Sequence, residues 1–141
     1  MVNRIFVLPA AALLLPIFLA AQQPPGRDPV IENLFPPELV MSHQKAIELS
    51  DAQKTYIRGE LLKAQTRFTE LQWQLQDAME GLVSILKEPS ADESQAINQL
   101  DKVLSSEREI KRTQIGLLVR IKNKLTPDQQ AHLQKLRTES K

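Results

Sequence analysis

The chain has 141 residues, 42% hydrophobic and 25% charged, with 18 Lys and Arg against 17 Asp and Glu and no cysteine. The missing cysteines exclude a disulfide scaffold, a thiolate nucleophile, a cysteine zinc site and a lipid anchor on Cys. With Arg4 set aside, basic and acidic residues balance, so bulk charge offers no argument for a nucleic-acid partner.

Met1-Val2-Asn3-Arg4 leads into an uncharged stretch from Ile5 to Ala21, rich in Leu, Ala, Ile and Phe and closing on Ala20-Ala21. A basic start, a short apolar region and small residues at its exit describe a secretory signal peptide over residues 1–21. A retained N-terminal anchor is the alternative, although Pro9 and Pro16 argue against a stable spanning helix. Export without cysteines or an N-x-S/T acceptor fits a bacterial periplasm. Residues 22–35 carry Pro, Gln and Gly and read as a flexible lead.

Pro36-Pro37 opens a short helix over residues 36–48, with Leu39, Val40, His43 and Ile47 on one side. Leu49-Ser50-Asp51-Ala52-Gln53 then marks a new helix start. In such a capping box the Ser oxygen accepts an otherwise unpaired N–H one turn in, and the Gln three residues on reaches back to the N–H of the cap. The helix runs over 50–87 with Ile57, Leu61, Ala64, Phe68, Leu71, Leu75, Ala78, Leu82 and Ile85 alternating at four and three, a heptad seam. Pro89 breaks the pattern.

A second long helix occupies 92–124, with Leu100, Val103, Ile110, Leu117 and Ile121 on its seam and Ile97, Leu104 and Leu118 alongside. The short connection forces the two into an antiparallel hairpin. Leu125-Thr126-Pro127-Asp128-Gln129 repeats the earlier start signal, with Pro at the first helical position, and a last short helix covers 127–138 with Leu133 and Leu136. The fold class is therefore all-α: a long antiparallel hairpin flanked by two short helices.

At about 1.5 Å per residue the first long helix spans roughly 55 Å, and a two-helix ribbon of that length buries one stripe per helix. Apolar residues off the stripe are therefore informative. Trp73 falls on the far side of the helix, and Leu62, Met79, Val83 and Leu86 lie on its flanks. A second copy or a bound partner is needed to cover them.

Charge is polarised as well. Residues 70–101 are acidic apart from Lys87, whereas Arg108, Lys111, Arg112, Arg120, Lys122 and Lys124 make the following stretch basic. An antiparallel dimer would set one acidic tip near the basic stretch of the other copy.

The ordered set of export signal, short helix, L-S-D-A-Q, long hairpin, L-T-P-D-Q and final short helix resembles the Spy/CpxP family of periplasmic proteins with paired L-T-x-x-Q motifs. Ser50 stands for Thr in the first motif and keeps the capping oxygen. The resemblance implies a homodimer shaped as a curved cradle. It also implies that the protein holds unfolded envelope proteins without ATP, with regulation of a membrane sensor kinase as the alternative. Related metal-resistance proteins share the hairpin and bind or sense divalent metals.

Leu49, Ser50, Gln53, Leu125, Thr126 and Gln129 have a sufficient explanation in capping and packing. For Trp73 a dimer contact, a client contact and cover by its own flank all stand. Leu62, Met79, Val83 and Leu86 fit either an adaptable client surface or burial against a second protomer. Arg108, Lys111 and Arg112 fit a solvated helix face or charge-guided capture of clients. His43 and His132, with Glu48 or Asp128, would make a metal set, but no H-x₃-H spacing exists and ordinary exposed or satisfied histidines are expected. No cofactor and no enzyme is expected: the chain has no G-x-S-x-G, no glycine-rich phosphate loop and no H-E-x-x-H.

Overall fold

The computed structural model describes residues 28–139. The signal or anchor expected over 1–21, and the lead up to residue 27, lie outside them. Among the described residues there are five helical segments and no strand: α1 (Pro29–Glu32), α2 (Pro37–Ser42), α3 (Asp51–Leu86), α4 (Glu93–Lys124) and α5 (Pro127–Glu139). The antiparallel hairpin of α3 and α4 is as expected, and their seam carries most of the tertiary contact.

The heptad stripe of α3 is the side that the fold covers. Ile57, Ala64, Leu71 and Ala78 are buried, and the residues alternating with them, Leu61, Phe68, Leu75 and Leu82, are half-buried. On α4 the seam includes two positions with no apolar signal, buried Ser106 and half-buried Thr113. Ser106 escapes desolvation by donating its hydroxyl to Lys102 O (3.2 Å). Towards the tip, Gly81 leaves room for the Gln99 side chain of α4. Gln99 crosses to donate to Ala78 O at 2.9 Å, and a Cβ on Gly81 would meet that amide nitrogen at 2.4 Å.

The core thickens only at the open end. There Phe35, Val40, Ile47 and Leu49 pack with Ile57, Ala64, Leu117, Ile121, Leu125 and Leu133, and a ribbon becomes a small multilayered domain.

Two expectations about the entry segment need correction. The stretch read as a flexible lead is folded from Asp28 onward: Asp28 caps α1 by accepting from Val30 N (2.9 Å), and Leu34 and Phe35 are buried. Its carbonyls are held by the distant α4 and α5. Arg137 donates to Glu32 O (2.7 Å) and to Leu34 O, while its guanidinium lies 5.5 Å from the Phe35 ring centroid. Lys122 donates to Asn33 O at 3.0 Å. None of these long-range cations is visible locally.

The short helix expected over 36–48 ends at Ser42 and continues as turns. Ile47 and Leu49 must both reach the core, and Ser50 must be extended to cap α3 (φ −69°, ψ 157°). The chain meets both demands by reversing at Glu48, whose φ of 51° is left-handed, and by donating Leu49 N to Gln44 O at 2.9 Å.

One buried charge bridges the hairpin. Glu60 sits beside the seam, accepting from Lys63 (2.8 Å) and from Arg120 Nε across on α4 (2.6 Å). The Lys63 hydrogen bond, then that from Arg120, hold its carboxyl below the ordinary value of 4.5 against the opposing effect of burial. A carboxyl depressed on folding adds stability above its unfolded value, and that stability is lost as pH falls through the folded value. The urea midpoint of the protein should therefore drop as pH is lowered below about 4.5, and Glu60→Gln should flatten that acid limb. An unchanged acid limb in Glu60→Gln would show that Glu60 does not carry it.

Candidate functional site

The two repeated motifs meet. Ser50 and Thr126 each accept from the N–H of the Gln three residues on, at 3.2 Å in both cases. Each Gln carbonyl returns the bond by accepting from the cap's own N–H, at 3.0 Å for Ser50 and 2.9 Å for Thr126. These are the two expected capping boxes, and the fold sets them face to face.

The second halves of the two amides then pair with each other. Gln53 Nε2 donates to Gln129 Oε1 (2.8 Å), and Gln129 Nε2 donates to Gln53 Oε1 (3.1 Å). The remaining protons go to Lys124 O (2.9 Å, from Gln53) and Ile47 O (3.1 Å, from Gln129). Every donor and acceptor of both amides is used. A capping box alone accepts Glu or Gln, but only Gln has the donors this junction needs. Leu49 and Leu125, which open the motifs, are both buried in the core beneath. The repeated motif is thus one structural knot that fastens the start of α3, the end of α4 and the start of α5.

Next to the knot, Ala46, Ile47, Glu48, Thr126, Asp128, Gln129 and His132 line an open cleft of about 460 Å³. His43 is not part of it. Its Nδ1 lies 2.9 Å from Leu39 O on its own helix, with Ser42 Oγ at 3.0 Å. The fold therefore does not assemble the His43–His132 metal set, and no group of three His, Cys, Asp or Glu among the described residues is placed to hold a metal.

The residues assigned to a client or dimer surface all face outward. Leu62 is 65% exposed, Trp73 63%, Leu86 58%, Met79 43% and Val83 42%. Cover of Trp73 by its own flank is thereby ruled out. Met79, Val83 and Leu86 follow one another at four and three on α3, so they form one stripe running to the tip. Exposed Gln76, Met79, Glu80, Val83, Ser84 and Lys87 border a shallow groove there.

The outer edge of α4 is a second, different surface. Arg108, Lys111 and Arg112 are exposed and flank a groove floored by Ile115. Arg112 has a 3.5 Å ion pair with Glu109. Ile97 and Leu104, expected beside the seam, are 51% and 45% exposed, and Val119 joins them at 40%. At 100° per residue, Ile97, Leu104, Arg108 and Ile115 fall on nearly one line. A single heptad count puts Ile97 and Leu104 alongside the seam because it cannot tell a flank from an outer edge. Arg120, grouped with the basic run, stays exposed but turns its Nε to Glu60.

No family model, curated protein or solved structure matches the chain.

The knot makes a stability prediction. Gln53→Glu or Gln129→Glu keeps a capping acceptor but removes two donors and sets carboxylate against carbonyl. Each should cost about 2–3 kcal/mol in urea unfolding, with Gln53→Ala nearer 1–2 kcal/mol and Ser50→Thr close to neutral. Equal effects of Glu and Ala at position 53 would mean that the amide pair contributes nothing beyond capping.

Proposed function

We propose that this chain is a non-enzymatic, exported binding protein that holds unfolded or partly folded envelope proteins without ATP. The observation that carries the reading is the apolar surface left outside a folded hairpin: five large side chains on α3 and three on α4, all at least 40% exposed. Monomeric soluble proteins scatter such residues singly, whereas contiguous stripes mark interaction surfaces.

Two further observations support it. Arg108, Lys111 and Arg112 stand beside apolar Leu104 and Ile115 on the α4 edge, which joins charge-guided encounter to nonspecific apolar contact. Unbranched Met79 in the α3 stripe suits a surface that must accept many shapes. The resemblance of the paired L-S-D-A-Q and L-T-P-D-Q motifs to those of periplasmic Spy/CpxP chaperones points the same way, as does the export signal read at residues 1–21. The alternative of a metal- or stress-sensing regulator of a membrane protein gains no ligand set from the described residues.

The test is light scattering of an aggregating, chemically unfolded protein with this chain at near-equimolar ratio. Scattering should fall in the wild type, and Leu104→Ser/Val119→Ser or Arg108→Ser/Arg112→Ser should restore it while helicity is kept. An equimolar wild-type chain that leaves aggregation unchanged would end this reading.

A further inference from the structure

The cations of α4 fall into two groups. Near the open end they are already engaged: Arg120 with Glu60, Lys122 with Asn33 O and Lys124 over the Tyr56 ring at 4.9 Å. Those of the outer edge are not. Arg108 and Lys111 have no hydrogen bond or ion pair among the described residues. Arg112 reaches Glu109 at 3.5 Å, a solvent-exposed pair that contributes little.

No acid neutralises this part of the edge. Glu107 and Glu109 stand immediately before and after Arg108, so they are turned about 100° to either side of it. Apolar groups fill the space between the cations instead. Ile115 and the stems of Arg108, Lys111 and Arg112 line a shallow trough of about 580 Å³. Exposed Leu104 and Val119 continue the line at its two ends. Lys111 lies roughly 40° to one side of Ile115 and Arg112 roughly 60° to the other, so positive charge borders the apolar line on both flanks.

We infer that this edge rests on an anionic phospholipid bilayer, with Leu104, Ile115 and Val119 at the acyl boundary and Arg108, Lys111 and Arg112 on lipid phosphates. A helix with an apolar line between cations is the form that lies in a membrane interface. The long stems bury beside the line while their charged heads stay among the headgroups, and each cation adds attraction to the negative surface. The shape suits a plane: Leu104 to Val119 spans about 22 Å of helix edge open to solvent. No described helix is long and apolar enough to cross a bilayer, so the contact is interfacial. Towards the tip, exposed Asp101 falls on the same edge, and its repulsion from phosphates ends the contact before Ile97. This goes beyond the proposed function, which gives the same edge to unfolded polypeptides, and it needs no client.

The single tryptophan of the chain, Trp73, points from α3 away from the hairpin, on the edge opposite to Arg108, and so reports on the orientation. The purified protein should cosediment at low salt with vesicles of mixed phosphatidylglycerol and phosphatidylcholine, and not with phosphatidylcholine alone. Arg108→Ser/Arg112→Ser should lower the partition constant at least about tenfold with helicity kept, and Asp101→Ser should raise it. On the mixed vesicles the emission of Trp73→Phe/Ile115→Trp should shift to the blue, while that of Trp73 in the wild type stays in place.

Absence of binding to the mixed vesicles, equal binding to neutral ones, binding unmoved by Arg108→Ser/Arg112→Ser, or a blue shift of Trp73 without one at position 115 overturns the proposal. Attachment through the apolar stretch from Ile5 to Ala21 would give the second and third of these results. Aggregation suppression by the wild type without vesicles is a separate readout: its absence ends the holding of clients alone, and absence of vesicle binding ends the docking alone.

Discussion

A hairpin of two helices has a single mutual seam, so each helix can turn only one stripe of its surface away from water. Over α3 and α4 that stripe is narrow and filled by Ile, Leu, Ala and Val, with Ser106 as its lone buried hydroxyl. The remaining apolar side chains of the two helices have nowhere within the hairpin to go. What the short segments add at one end, and what the outer edges offer to other molecules, both follow from that limit.

At the open end the limit is overcome by bringing in more chain. Phe35 before α2, Ile47 and Leu49 after it, and Leu133 of α5 surround Ile57 and Ile121. Polar groups at this junction are satisfied instead of left dry: the Gln53–Gln129 amides, Arg137 on the carbonyls of Glu32 and Leu34, and the Glu60–Arg120 pair. These bonds join segments that are far apart in sequence, so they order the open end as one unit. The tip has no such reinforcement. It is held by the seam and by single crossings such as that of Gln99 to Ala78, which leaves the outer stripes free to take a partner without disturbing the core.

Much of this was legible in the residues. The α3 seam from Ile57 to Ile85, the Ser50 and Thr126 caps and the outward placement of Trp73 follow from period and local capping chemistry, which act within a turn or two. What was not legible depends on distant partners. Nothing near Gln53 shows that its amide will meet Gln129, and nothing near Phe35 shows that Arg137 will cross its ring and hold the entry segment in place. Helix formers from Lys45 to Glu48 predict a longer α2, but the need to bury Leu49 and extend Ser50 outweighs them. Ile97 and Leu104 were set beside the seam because they follow it in period, although the helix turns them about a third of a revolution further out.

The claim beneath the account is that the outward apolar stripes work on other molecules, not on the protomer. Methyl NMR of the folded protein during titration with a reduced, permanently unfolded polypeptide tests it most directly. Shifts and broadening should concentrate on Leu104, Ile115 and Val119 of the α4 edge, and leave Ile57, Ile121 and Leu133 of the core in place. Unchanged edge methyls at saturating polypeptide, or changes confined to the core, would contradict it.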